Sequence, residues 1–157
     1  MTRNFVALQG NIADDPHFQS LTDGTAYLRF FVVVDREREL SHNRGEQPQR
    51  ADLIRVVQFG PRAELDYYYL RKGAETVVFG RIQSRAYRDL RSGVETRRTQ
   101  LEVIAQFIAF GRGCDIQRGD WHRDEMIKRD GEFASVAASE SVIVPEHLLK
   151  MLSADAE

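Results

Sequence analysis

Two short segments of this sequence set an arginine beside an aromatic ring at even spacing, which places both on one face of a β-strand. In residues 52–60 the set is Arg55, Val57 and Phe59; in the arginine-rich segment 81–98 it is Arg85 and Tyr87. An arginine can pair bidentately with a phosphate, and a ring offers a face on which a planar base stacks. The second segment also holds Arg81, Arg88, Arg91, Arg97 and Arg98, against only Asp89 and Glu95. A hairpin arm of that composition suits salt-dependent phosphate contact, though a merely solvated hairpin has the same look. Phe59, on spacing alone, fits core packing as well as stacking. Residues 35–51 add Arg36, Arg38, Arg44 and Arg50, but Glu37, Glu39 and Glu46 offset much of that charge, so the loop is a weaker candidate. Tyr67, Tyr68 and Tyr69 fall on a predicted helix, where packing explains them better than stacking.

No constellation suggests catalysis. His17, His42, His122 and His147 are scattered, and Cys114 has no partner at metal-ligand spacing, so neither a metal nor a cofactor is expected. Phosphate-cradling glycine loops, nucleophile elbows and zinc-protease helices are missing. Asp120-Trp121-His122-Arg123-Asp124 sets acids near a histidine, but on a predicted loop with no nucleophile. The start of the chain runs straight into a strand pattern without a signal peptide, and no apolar run could cross a bilayer. A soluble, cytoplasmic protein is the expectation, consistent with a single cysteine.

The elements that must position these residues read in order. Phe5–Asn11 alternates as a strand, ended by Asn11, Asp14, Asp15 and Pro16. The Asp23-Gly24 turn leads into Tyr27–Val34, apolar on both faces, and residues 35–51 form a long polar loop. Leu53–Phe59 is stopped by Gly60-Pro61; Ala63–Leu70 is a short helix closed by Lys72-Gly73. Thr76–Gln83 continues to Arg88, turns near Ser92-Gly93, and returns as Thr96–Phe110. Three strands, one helix and two strands is the order of an all-β, five-stranded OB barrel, with its helix between strands three and four.

Composition divides the chain near residue 112. Residues 1–113 hold 17 Lys+Arg against 14 Asp+Glu, whereas residues 114–157 hold 5 against 10, giving the overall charge of −2. The expected organisation is an OB domain over 1–112 and an acidic C-terminal extension over 113–157. In the extension, 114–132 reads as loop, Phe133–Val144 as strand or loop, and Pro145–Leu152 as a short amphipathic helix. The Leu148, Leu149 and Leu152 stripe suits docking on the parent domain better than recruiting a partner. Of 22 basic residues only Lys72, Lys128 and Lys150 are lysine, a bias that phosphate binding or codon usage would each produce.

Gly10-Asn11, Asp15-Pro16 and Thr22-Asp23-Gly24 resemble the opening of bacterial single-stranded DNA-binding proteins. Arg55-Val56-Val57-Gln58-Phe59-Gly60, Ala63-Glu64 and Tyr69-Leu70-Arg71-Lys72-Gly73 follow in that family's order and spacing, as do Gly80-Arg81-Ile82, Arg85-Ala86-Tyr87-Arg88-Asp89 and Gly93. Together they cover about 110 residues. The resemblance implies an OB fold, a homotetramer or dimer, and cooperative binding of exposed strands in replication, recombination and repair. It places Phe59 and Tyr87 at aromatic positions, and Arg55, Arg71, Lys72 and Arg85 where the family has basic residues near DNA. Arg38 and Leu53 stand where the family commonly has rings. The family's terminal Pro-Phe is replaced here by Leu152-Ser153-Ala154-Asp155-Ala156-Glu157, so tail-mediated partners are not expected, and an origin on a plasmid or other mobile element would fit.

The expected function is therefore sequence-nonspecific binding and protection of single-stranded DNA. The candidate contacts are Arg36, Arg38, Arg55, Phe59, Arg71, Lys72, Arg85, Tyr87, Arg88 and Arg97. An alternative from a different class is an OB-fold adaptor in a primosome or conjugation assembly, whose main ligand is another protein.

Overall fold

The computed structural model describes residues 3–36 and 50–131. It contains β1 (Val6–Ile12), β2 (His17–Ser20), β3 (Ala26–Asp35), β4 (Ala51–Phe59), α1 (Pro61–Tyr69), β5 (Glu75–Asp89), β6 (Thr96–Phe110) and α2 (Ile116–Asp130). The strands β1, β5, β6, β4 and β3 are joined neighbour to neighbour, and β1 pairs back onto β3 at Asn11↔Val33 and Ile12↔Val32. The result is a closed ring of five strands, with α1 between the third and fourth of them, as the OB order requires. Closure demands close approach at Gly10, where any Cβ would overlap the Val33 carbonyl oxygen. The pairing of β4 with β6, at Val56↔Val103 and Val57↔Ile104, is the one parallel contact in a ring otherwise antiparallel.

The sequence reading is met in strand order but lacks β2. That four-residue strand lies outside the ring and pairs only with β3, across the Asp23-Gly24 turn, where Asp23 Oδ1 accepts the Thr25 N–H at 2.9 Å. It is short and mostly exposed, so it leaves no apolar alternation to read. On β3 the expected two-sided apolar run resolves into strict alternation. Ala26, Leu28, Phe30 and Val32 are buried, while Tyr27, Arg29, Phe31 and Val33 face outward and are only partly covered.

The expectation of a loop over 114–132 is overturned by α2. Asp115 caps its start by accepting the Arg118 N–H at 3.0 Å; Lys128 and Arg129 occupy the last turn, where cations favour the helix end. The helix lies on α1. Gly119 sits against the Tyr69 ring so tightly that a Cβ would overlap it, and the Tyr69 hydroxyl donates to Asp120 Oδ1 at 2.8 Å. Met126 enters the core, and Arg129 binds Glu64 at 3.1 Å. His122, read as surface on a loop, stacks on Tyr68 with ring centroids 3.4 Å apart. Alternating charges and a central glycine hid this helix, because its buried side consists of few apolar residues. The predicted Pro145–Leu152 helix and the Phe133–Val144 segment lie outside the described residues.

Beneath α1, Asp66 is fully buried and accepts from Gln58 Nε2 at 2.9 Å, with Arg62 Nε at 3.7 Å. Asp66 Oδ1 and Gln58 Oε1 are both buried without a donor among the described residues. Burial pushes the Asp66 carboxyl up to about 7, against the opposing pull of Arg62 and the Gln58 hydrogen bond. The carboxyl is held above its unfolded value, so its contribution to stability is complete below pH about 4 and is lost as pH rises towards 7. Asp66→Asn should remove that loss. Urea denaturation across pH 4–8 should show the variant gaining on the native chain with rising pH, by on the order of 4 kcal/mol.

Candidate nucleic-acid interface

The antiparallel register of β3 and β4 sets Tyr27 opposite Phe59, Arg29 opposite Val57 and Phe31 opposite Arg55. Residues directly opposite share a face, so the outer side of this hairpin carries three rings, Tyr27, Phe31 and Phe59, and two arginines. Phe59 is 47% exposed, which excludes the core-packing alternative. Its ring meets Tyr27 at 5.3 Å between centroids and 51° between planes, forming an open aromatic corner. Arg55 donates from Nη2 to the Tyr27 hydroxyl at 3.2 Å, and its Nε lies 3.2 Å from Glu102 Oε2. Both members of this ion pair are largely buried, so the guanidinium is committed to holding the floor of the site.

Around this corner runs an open groove of about 510 Å³, lined by Tyr27, Arg29, Arg55, Phe59, Gln83 and Arg85, with β2 along one side. Arg85 is exposed, and neither it nor Arg29 has an ion pair among the described residues. The groove thus unites three predicted residues, Arg55, Phe59 and Arg85. Tyr27 and Arg29 were missed. Their signal was the period of two on β3, but it became legible only with the register to β4.

Beyond the ring, β5 and β6 continue as the exposed arm that the sequence predicts. Tyr87 pairs with Arg98 and Arg88 with Arg97. By strand alternation Arg85, Tyr87 and Arg98 share the groove-side face, whereas Arg88 and Arg97 point to the other. Tyr87 is 41% exposed. Arg88 is bound by Glu95 at 3.0 Å and Arg98 by Asp89 at 3.0 Å, so part of the arm's charge is neutralised. A second open hollow, of about 580 Å³, lies at Tyr87, Arg88 and Arg97.

The remaining candidates stand apart from the groove lining. Arg71 pairs with Asp115, the cap of α2, and Lys72 with Asp14 at 3.7 Å. Arg36 reaches Asp52 at 2.5 Å, and that hydrogen bond holds the Asp52 carboxyl below its ordinary range. Arg38 and Arg44 lie outside the described residues. Leu53, where the resemblance has a ring, is 60% exposed and helps line an apolar hollow of about 290 Å³ with Ile82 and Leu101. Among the described residues no group of three or more His, Cys, Asp or Glu could hold a metal, and no helix is long and apolar enough to cross a membrane.

A closed five-strand ring with an aromatic and arginine-lined groove on its outer face is an OB-fold binding module. Residues 3–111 match the model of the single-strand binding protein family, and the chain belongs to that family. It is a family of binding proteins rather than enzymes. A single-stranded DNA-binding protein of Fusobacterium nucleatum is 35% identical over 108 residues, which span 69% of this chain and 66% of that one, just under two thirds of its length. Single-stranded DNA-binding protein 2 of Clostridium acetobutylicum is 35% identical over 122 residues, covering 75% of this chain and 86% of the relative. In three dimensions the chain is similar to a Plasmodium falciparum SSB solved in complex with ssDNA. The TM-score is 0.53 at 20% identity, over 67% of this chain and 88% of that one, a likeness that speaks to the fold.

The geometry separates structural arginines from exposed ones. Glu102→Ala strips Arg55 of its buried partner and should cost roughly 3–5 kcal/mol in urea denaturation. Arg85→Ala, on the exposed arm, should change stability by less than about 0.5 kcal/mol.

Proposed function

We propose that this protein binds single-stranded DNA with little sequence preference, and protects exposed strands during replication, recombination or repair. The observation that carries the reading is the groove, in which stacking surface and unpaired arginines converge on the outer face of an OB ring. Rings accept any base, and arginines follow the phosphates, so affinity needs no base-edge readout. The names of the related proteins point the same way. In this reading Phe59 is the first stacking platform and Arg85 the nearest phosphate contact. Tyr87 extends the path along the groove-side face of the arm, with Arg88 and Arg97 on its other face. Arg36, Arg71 and Lys72, each paired with a carboxylate, are weaker contacts, and Arg38 lies outside the described residues. The binding ring ends near residue 112, and the acidic extension from 113 onward opens with α2, which docks on α1 through Gly119 and Asp120 and sends Met126 into the core.

The protein acts in the cytoplasm as a homo-oligomer, with the tetramer as the expected state. Support comes from a second apolar surface, where Phe79 and Phe107 pack on Val77 and Ala109, and Phe5, 71% exposed, stacks on Phe79. An exposed patch of that kind is typical of subunit contact.

Titration of fluorescent oligo(dT) at several salt concentrations tests the reading. Tight binding at low salt, weakening along a linear log–log slope, is expected; absence of binding at low salt defeats it. The lone Trp121 lies on α2, away from the groove lining, so its fluorescence should change little on binding. The adaptor alternative draws on the apolar hollow at Leu53, Ile82 and Leu101. It would gain if Phe59→Ala and Tyr87→Ala left function intact.

A further inference from the structure

Arginines lining one groove need not do one job, and here their partners divide them. Arg55 is fixed from two sides, by Glu102 at 3.2 Å and by the Tyr27 hydroxyl at 3.2 Å, and its side chain is only 15% exposed. A phosphate would have to compete with a buried carboxylate for it. Arg29 lies on the same outer face, two residues along β3 from Tyr27, lines the same groove and has no ion pair among the described residues. Tyr27 itself closes the aromatic corner with Phe59.

We infer that Tyr27 is the second stacking ring of the groove, that Arg29 is its phosphate contact, and that Arg55 is a positioning residue acting through Tyr27. This inference rests on the single-strand-binding reading and assigns the work within that site. The Glu102–Arg55–Tyr27 chain locks the tyrosine ring at its angle to Phe59, so a base entering the corner meets the face of one ring and the edge of the other. The strand then crosses the outer face of β3 and β4 before it reaches Arg85 and the arm.

The test is oligo(dT) titration over a salt series, with folding of every variant checked by circular dichroism. Tyr27→Leu, which keeps an apolar cover on Phe59, should weaken binding about 5- to 100-fold with the salt slope unchanged. Tyr27→Phe keeps the ring but loses the hydroxyl that Arg55 holds, and should also weaken binding at unchanged slope. Arg29→Gln should lower the log–log salt slope by about 0.7, the share of one phosphate contact on a single strand. Arg55→Gln, made together with Glu102→Gln so that no carboxylate is left buried alone, should weaken binding and leave the slope as it was. If that double variant fails to fold, Tyr27→Phe answers the positioning question by itself.

Native-like binding by Tyr27→Leu overturns the stacking role, and native-like binding by Tyr27→Phe overturns the positioning role. A slope that falls in the Arg55 and Glu102 double variant but not in Arg29→Gln reverses the assignment of the arginines. Phe59→Ala separates this inference from the reading beneath it. If Phe59→Ala weakens binding and Tyr27→Leu does not, only the inference fails. If neither does, the groove is not the DNA site.

Discussion

The ladder between β3 and β4 is the constraint on which the site depends. It runs from Tyr27↔Phe59 to Asp35↔Ala51 without a break, and one residue of slippage would exchange the faces of every side chain on it. The register is held from the inside. Leu28, Phe30 and Val32 on β3 and Val56 on β4 are essentially inaccessible, and a slip would force the buried set of whichever strand shifts outward. The opposite parity, Tyr27, Arg29, Arg55 and Phe59, is thereby fixed on the outside. Packing of the core and presentation of the groove are thus two consequences of a single alternation.

That dependence explains what the sequence could and could not disclose. Strand order, the helix after Gly60-Pro61 and the arginine arm were legible because each has a local signature: alternation, a turn-and-proline start, a charge run. Arg55, Phe59 and Arg85 were legible because each shares its strand with its neighbours in the site. Tyr27 and Arg29 were not, since their place in the groove comes from a partner strand more than twenty residues away. The same limit applies to Arg71. Its sequence context marks it as basic, but only the fold brings Asp115 to it and turns its charge inward to α2.

The helix α2 shows a different failure of local reading. Four basic and four acidic residues alternate along Ile116–Asp130, a pattern that suits a solvated segment equally well. What decides the outcome is tertiary. Tyr69 stacks on Phe110 below and presents its ring and hydroxyl above, so Gly119 and Asp120 find a contact that apolar periodicity does not encode. Beside it, Arg118 lies 5.3 Å from the centroids of both Tyr67 and Tyr68. The three consecutive tyrosines are therefore accounted for by helix docking. That leaves Tyr27, Phe59 and Tyr87 as the proposed stacking surface.

Net charge is a poor guide to such a protein, and the ion pairs show why. A total of −2 opposes binding to a polyanion only if the charges act as a sum. Much of the positive charge here is spent within the fold: Arg36 on Asp52, Arg71 on Asp115, Arg112 on Glu75, Arg129 on Glu64. Screening by salt confines what remains to about 10 Å, so a phosphate in the groove responds to Arg29 and Arg85 and hardly to distant acids. The affinity such a site can reach is set by the few arginines left without a carboxylate and by the rings beside them. Arg55, nominally the most central cation of the groove, contributes by geometry, because Glu102 has already taken its charge.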